Sequence, residues 1–198
     1  DSSGDFGDAT WQAWVDDAVR ACQWLTQRTS ASTSNDDLIP LWLWGLRAGC
    51  LLAIEAAVRL KITPNFLFWQ PVSDGKQLLQ QFMRLKTARN MIDKGAKASP
   101  GDLHQQLTLR ASIDVAGYVV SHGLANGIKQ SQLSPPDVLQ QPEPPRLELF
   151  EMSTREDATA SPVAVRTVAK WTEAGFAVRS EVVKGPSFWQ TTEIEDAP

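Results

Sequence analysis

Residues 38–53 read LIPLWLWGLRAGCLLA, an apolar run that passes between two glycines and continues as an apolar segment. Gly45 and Gly49 flank Arg47, and glycines permit the close backbone approach that a tight turn needs. The pattern predicts a buried strand that turns sharply into a helix. This is the shape of a nucleophile elbow, in which G-x-S-x-G raises a serine above a sheet. The raised residue here is Arg47, which cannot act as an acyl-forming nucleophile.

Length and composition indicate one globular domain over residues 1–198. The chain is 42% hydrophobic and contains 8 Trp, enough for a substantial core. The net charge is -4, and Lys and Arg are scattered, so we expect no nucleic-acid partner. No apolar run is long enough to predict a membrane span.

The two cysteines, Cys22 and Cys50, lie on helix-like apolar segments without a C-x-x-C motif. They are predicted to be reduced core thiols rather than a disulfide. Reduced thiols favour a cytoplasmic location.

Strand and helix patterns alternate along the chain, which predicts an α/β fold with a mostly parallel sheet. We expect an insertion over residues 77–140, in which residues 117–121 fit either a helix or a strand. A polar connection is predicted over residues 29–37. The predicted elements are a helix of about four turns from Trp11, the elbow strand, a helix over 48–60, a strand over 66–71, a helix over 77–92, a strand over 146–152, a helix over 161–175, a strand over 176–183 and a last short helix.

Four blocks of sequence resemble an α/β-hydrolase, and specifically the second type of hydrolase associated with the exosortase A system. They are DSSG at 1–4, LWGLRAG at 43–49, FWQPV at 68–72 followed by Gly75 and QFMR at 81–84, and GPSFWQTTEI at 185–194. The resemblance covers nearly the whole chain. It implies that the chain is the C-terminal part of this fold, that the N-terminal strands and the oxyanion loop lie upstream, and that region 77–140 is a helical, cap-like insertion. The sheet would then have an edge strand that the upstream strands cover.

The resemblance further implies an activity on an acyl ester or thioester, in bacterial (PEP-CTERM) protein sorting or exopolysaccharide production. A Ser-His-Asp hydrolase needs a nucleophile on the elbow, an acid after the next-to-last strand and a histidine after the last. Arg47 stands at the first position, and Glu156 and Asp157 are the acid candidates. Phe188 stands at the histidine position, and a phenyl ring cannot shuttle a proton.

Other reactive side chains offer weak replacements for this triad. His104 and His122 both fall in the insertion, where surface or helix-capping roles are expected. Cys50 is predicted to face the helix packing rather than the site. Ser153 and Ser187 lie near strand ends, but nothing supplies them with a base. No residue cluster has the spacing of a metal site, and no cofactor motif occurs.

Two hypotheses therefore stand. The chain is an acyl hydrolase with unusual machinery, or it is a catalytically degenerate hydrolase-like protein that binds an anionic or apolar small molecule. In the second case Arg47 would clamp a carboxylate or phosphate, with Trp69, Ser187 and Trp189 as further ligand-binding candidates. A structural salt bridge for Arg47 is the simpler alternative. Trp42, Trp44, Trp69 and Trp189 lie near predicted strand ends, and most of them are expected to pack in the core.

Overall fold

The computed structural model describes residues 4–32, 39–94, 112–115, 118–137, 139 and 143–190. The chain forms two compact units. The first comprises Asp1–Ala18 and Asp74–Gln132, and the second comprises Val19–Ser73 and Leu133–Pro198. The elements in chain order are a 3-10 turn (Phe6–Asp8), α1 (Trp11–Ser32), β1 (Trp42–Leu46), α2 (Ala48–Leu60), β2 (Asn65–Trp69), α3 (Gly75–Lys94), β3 (Ile113–Val115), β4 (Tyr118–Val120), α4 (His122–Gln130), β5 (Arg146–Ser153), α5 (Pro162–Glu173), β6 (Ala177–Lys184) and a second 3-10 turn (Phe188–Gln190).

The second unit is built on a four-stranded sheet in the order β1-β2-β5-β6. Every neighbouring pair of strands is parallel. With helices between its strands, this sheet confirms the predicted α/β class. Leu46 at the end of β1 pairs with Trp69 at the end of β2, so the carboxyl ends of these two strands lie level.

One face of this sheet carries the apolar core. Phe66 and Phe68 of β2 are fully buried, and their rings lie 5.3 and 5.7 Å from that of Trp171 on α5. Helix α2 packs on the same face, where Cys50 contacts Gly45 of β1. The strand order advances in one direction, and right-handed crossovers then place the connecting helices on one side.

The opposite face is more open, which corrects the expectation that β1 is a buried strand. Trp42 and Trp44 project there and are 37% and 69% exposed. Core packing, expected for most of the tryptophans near strand ends, does not hold for these two. The apolar run specifies a strand, but α2 and α5 cover only the face that carries Gly45 and Phe68. Strand β1 also lies at one edge of the described sheet, and the upstream strands expected to cover this edge stay a prediction.

The first unit combines helical segments with a short antiparallel pair, β3 and β4. The ambiguous residues around 118 are thus a strand. Helices α3 and α4 pack closely because Gly75 carries no side chain; a Cβ there would lie 1.6 Å from the carbonyl oxygen of Ile128. The boundary of the 77–140 insertion stays a prediction.

Helix α1 is longer than the sequence pattern indicated, because it continues through the polar residues from Thr29 to Ser32. The hydroxyl of Thr26 donates to the Cys22 carbonyl (2.9 Å) and that of Thr29 to the Leu25 carbonyl (3.1 Å). These bonds let hydroxyl side chains remain inside a helix. Leu25, near this end of the helix, is 44% exposed.

The two glycines of the elbow have different roles. A Cβ on Gly45 would lie 2.6 Å from both the nitrogen and the Cα of Cys50, whereas a Cβ on Gly49 would meet nothing within 4 Å beyond its own helix. The close approach of β1 and α2 therefore requires Gly45 alone, which corrects the assignment of this role to both glycines.

We predict that Gly45→Ala lowers the free energy of unfolding by about 1–3 kcal/mol, because the added methyl group overpacks a backbone contact. Gly49→Ala is the matched control and should be neutral or stabilise by up to about 1 kcal/mol, since alanine is the better helix former. Urea unfolding monitored by circular dichroism measures both. Equal losses of stability in the two variants would show that the contact between β1 and α2 does not require glycine at position 45.

Candidate functional site

Arg47 occupies the turn between β1 and α2 in a strained conformation, with φ 54° and ψ -114°. Its N–H donates to the Trp69 carbonyl (3.0 Å), and its carbonyl accepts from the Cys50 N–H (3.2 Å). Non-glycine residues in such regions cost of order 1–3 kcal/mol and persist only where the surroundings fix them. The sharp strand-to-helix turn expected from the sequence is therefore present, with Arg47 at its apex.

The Arg47 side chain lies against an aromatic ring. Its Cζ is 5.7 Å from the centroid of the Trp189 ring, a cation–π distance. Partial burial lowers the pKa of Arg47 below its ordinary value. A guanidinium nevertheless keeps its positive charge at neutral pH. The site thus holds a partly desolvated cation at the carboxyl ends of the strands.

Four rings form what we term the aromatic cluster: Trp69, Phe150, Phe188 and Trp189. Trp69 lies 5.5 Å from Phe150 and 6.2 Å from Phe188, and Phe188 lies 5.2 Å from Trp189. Phe188 is 40% exposed. The residue at the expected histidine position is therefore a partly exposed part of an apolar surface. Three members of the aromatic cluster, Trp69, Phe188 and Trp189, were site candidates from the sequence.

Gln70 is a residue of this edge that sequence reasoning missed. It follows β2 directly and has a φ of 43°, so it is the second strained residue at adjacent strand ends. Its N–H donates to the Phe150 carbonyl, and its Oε1 accepts from the Met152 N–H, both at 2.7 Å. The only signal in the sequence is a polar residue between the apolar strand and Pro71, which marks a strand end but does not reveal these contacts.

The acid candidates lie in the exposed turn after β5. Asp157 forms a paired contact with Arg155 at 3.2 and 3.0 Å, and this hydrogen bonding lowers the pKa of Asp157. Glu156 accepts from Lys184 at 2.5 Å. Both carboxylates are thus engaged in surface ion pairs rather than with a histidine.

The remaining candidates are dispersed. The Ser153 hydroxyl accepts from the Arg155 N–H (3.1 Å), and Ser187 is a partly exposed residue directly before Phe188. His122 is the first residue of α4 in the first unit, whereas Arg47 belongs to the second. His104 lies outside the described residues.

Cys50 is fully buried, and its Sγ lies 3.9 Å from the Trp69 carbonyl. Burial raises the pKa of this thiol well above its ordinary value, so it is protonated and unreactive at neutral pH. Cys22 is also buried and free, which confirms the prediction of two reduced core thiols.

Comparison with models of known protein families found no match, and comparison with curated protein sequences found no similar protein. In the described ranges, no helix is long and apolar enough to cross a membrane. Among the same residues, no group of three or more His, Cys, Asp or Glu side chains could hold a metal ion.

Because Arg47 is strained, two variants that both remove its side chain should differ in stability. Arg47→Gly should be more stable than Arg47→Ala by about 1 kcal/mol, because glycine adopts positive φ without a Cβ penalty. At Ala48, the first residue of α2, glycine should instead give no gain in stability, since this position is helical. Thermal unfolding measures all three variants. A less stable glycine variant at position 47 would contradict the strained turn.

Proposed function

We propose that this chain is a ligand-binding protein on an α/β-hydrolase-like sheet, in which Arg47 binds an anionic group of a small molecule. The observation that carries the proposal is the position of the Arg47 guanidinium, held by a strained turn at the carboxyl ends of parallel strands and beside the aromatic cluster. Ligands of open α/β sheets bind at this end of the strands. A guanidinium recognises carboxylates and phosphates through paired hydrogen bonds.

The aromatic cluster supports a ligand that also has an apolar part. Trp189 lies beside the Arg47 guanidinium, and Phe188 contacts both Trp189 and Trp69. The exposed area of Phe188 gives an apolar group a surface to cover. Small-molecule sites commonly combine aromatic walls with a few polar anchors. An aryl or alkyl anion fits both features.

Acyl hydrolysis is less well supported by the residue chemistry. Arg47 cannot be a nucleophile, Phe188 cannot be a base, and both acid candidates are in surface ion pairs. The resemblance to the exosortase A-associated hydrolases still favours hydrolysis of an acyl ester or thioester. A role in protein sorting or exopolysaccharide production stays a prediction.

Phenylacetate is a suitable probe because it joins a carboxylate to an aromatic ring. At ten times its Kd it should raise the Tm of the protein by about 3–6 °C, since a ligand that binds only the folded state stabilises it. The Arg47→Met variant should lose this response, because it keeps the length of the side chain without the charge. Differential scanning fluorimetry measures the shift.

Arg155→Met is the matched control. Arg155 is an exposed arginine that is already paired with Asp157, so its loss should leave the phenylacetate shift unchanged. A wild-type protein without any shift, or an equal loss in both arginine variants, would contradict recognition by Arg47.

A further inference from the structure

We propose that Gln70 is a second ligand-binding residue of the Arg47 site, and that its side-chain N–H groups make the site selective for a carboxylate. This inference rests on the proposed function. Gln70 directly follows β2, and Arg47 directly follows the neighbouring strand β1. Their preceding residues, Leu46 and Trp69, are paired across the sheet, and the Arg47 N–H bonds the Trp69 carbonyl.

The orientation of the Gln70 amide follows from its partner. The Met152 N–H is a donor, so the Gln70 oxygen must face it, as it does at 2.7 Å. The Nε2 group therefore points away from this bond. Among the residues that the structure describes, no acceptor bonds Gln70 Nε2. Gln70 is only partly buried, which is compatible with a bond from this donor to a ligand.

The two polar groups belong to residues that directly follow neighbouring strands, at the carboxyl edge of the sheet. Gln70 reaches the end of β5 at Met152, and the Arg47 guanidinium reaches Trp189 after β6. Phe188 links Trp189 to Trp69, the residue before Gln70. An amide donor and a guanidinium at this edge match the two oxygens of a planar carboxylate, and the aromatic cluster would contact the attached apolar group.

The conformation of Gln70 agrees with a role beyond packing. At φ 43° it is strained, and the chain turns away from the sheet at Pro71. The Gln70 side-chain oxygen accepts from the Met152 N–H, in the place of the backbone carbonyl that a longer β2 would offer. This arrangement fixes the amide rigidly, which lowers the entropic cost of binding a ligand to it.

The Gln70→Glu variant separates the two roles of the amide. A glutamate oxygen can still accept from the Met152 N–H, but the variant lacks the N–H donors and adds a negative charge. We expect its Tm to stay close to that of the wild type, whereas phenylacetate binds at least about tenfold more weakly by isothermal titration calorimetry. The Gln70→Glu substitution should weaken the binding of phenylacetamide, the neutral analogue, less than it weakens the binding of phenylacetate. Gln27→Glu on the exposed surface of α1 makes the same change of net charge and should bind phenylacetate like the wild type.

The outcomes distinguish this inference from the proposed function. If the wild type does not bind phenylacetate, or Arg47→Met binds it equally well, both fail. If binding depends on Arg47 but Gln70→Glu binds normally, only the role of Gln70 is overturned. Should Gln70→Glu not fold, nuclear magnetic resonance of the wild type decides: the side-chain N–H signals of Gln70 should shift with the same Kd as the calorimetric one, and unchanged signals would overturn the inference.

Discussion

The structure of the second unit depends on one close contact, that between Gly45 of β1 and Cys50 of α2. The missing side chain at position 45 brings the first turn of α2 against the strand. The chain can reach this position only through a sharp turn, and the residue at its apex, Arg47, has to adopt a positive φ. The strain is held by the Arg47 N–H bond to β2 and by the packing of α2 on the sheet. The close contact therefore explains why a charged side chain is fixed at the carboxyl edge.

The arrangement of the sheet concentrates functional groups at this edge. Since all four strands are parallel, the turns after β1, β2 and β6 meet at one end. They contribute the guanidinium of Arg47, the amide of Gln70 and two rings of the aromatic cluster. None of these groups is a proton acceptor that could activate a nucleophile. The cation, the amide donor and the aromatic surface are instead all suited to bind an anion with an apolar tail.

Much of the fold could be predicted from the sequence, because apolar periodicity and turn residues are local signals. Helix α2 has its predicted bounds, and the strands appear in the predicted order. The exposure of Trp42 and Trp44 could not be predicted, since a strand pattern does not tell which faces receive helices. Region 33–38 and most of 95–117 lie outside the described residues, as does His104.

The site was predictable only in part. Arg47 is found from the elbow motif, since the apolar strand, Gly45 and the helix pattern place the turn between them. Its contact with Trp189 joins positions that are remote in sequence, so only the folded sheet reveals it. Gln70 was missed for a related reason: its φ and its bond to Met152 result from the register between β2 and β5, which no local pattern encodes.

Fluorophosphonate labelling is the most direct test of whether the elbow between β1 and α2 only binds a ligand or reacts covalently, as in a serine hydrolase. The wild type and Arg47→Ser would be treated in parallel with a known serine hydrolase and resolved by mass spectrometry. We expect no labelling in either form, because Phe188 leaves a serine at position 47 without a base. Labelling of the wild-type protein would contradict a degenerate site, and labelling of Arg47→Ser alone would show that the surrounding residues still support acyl transfer.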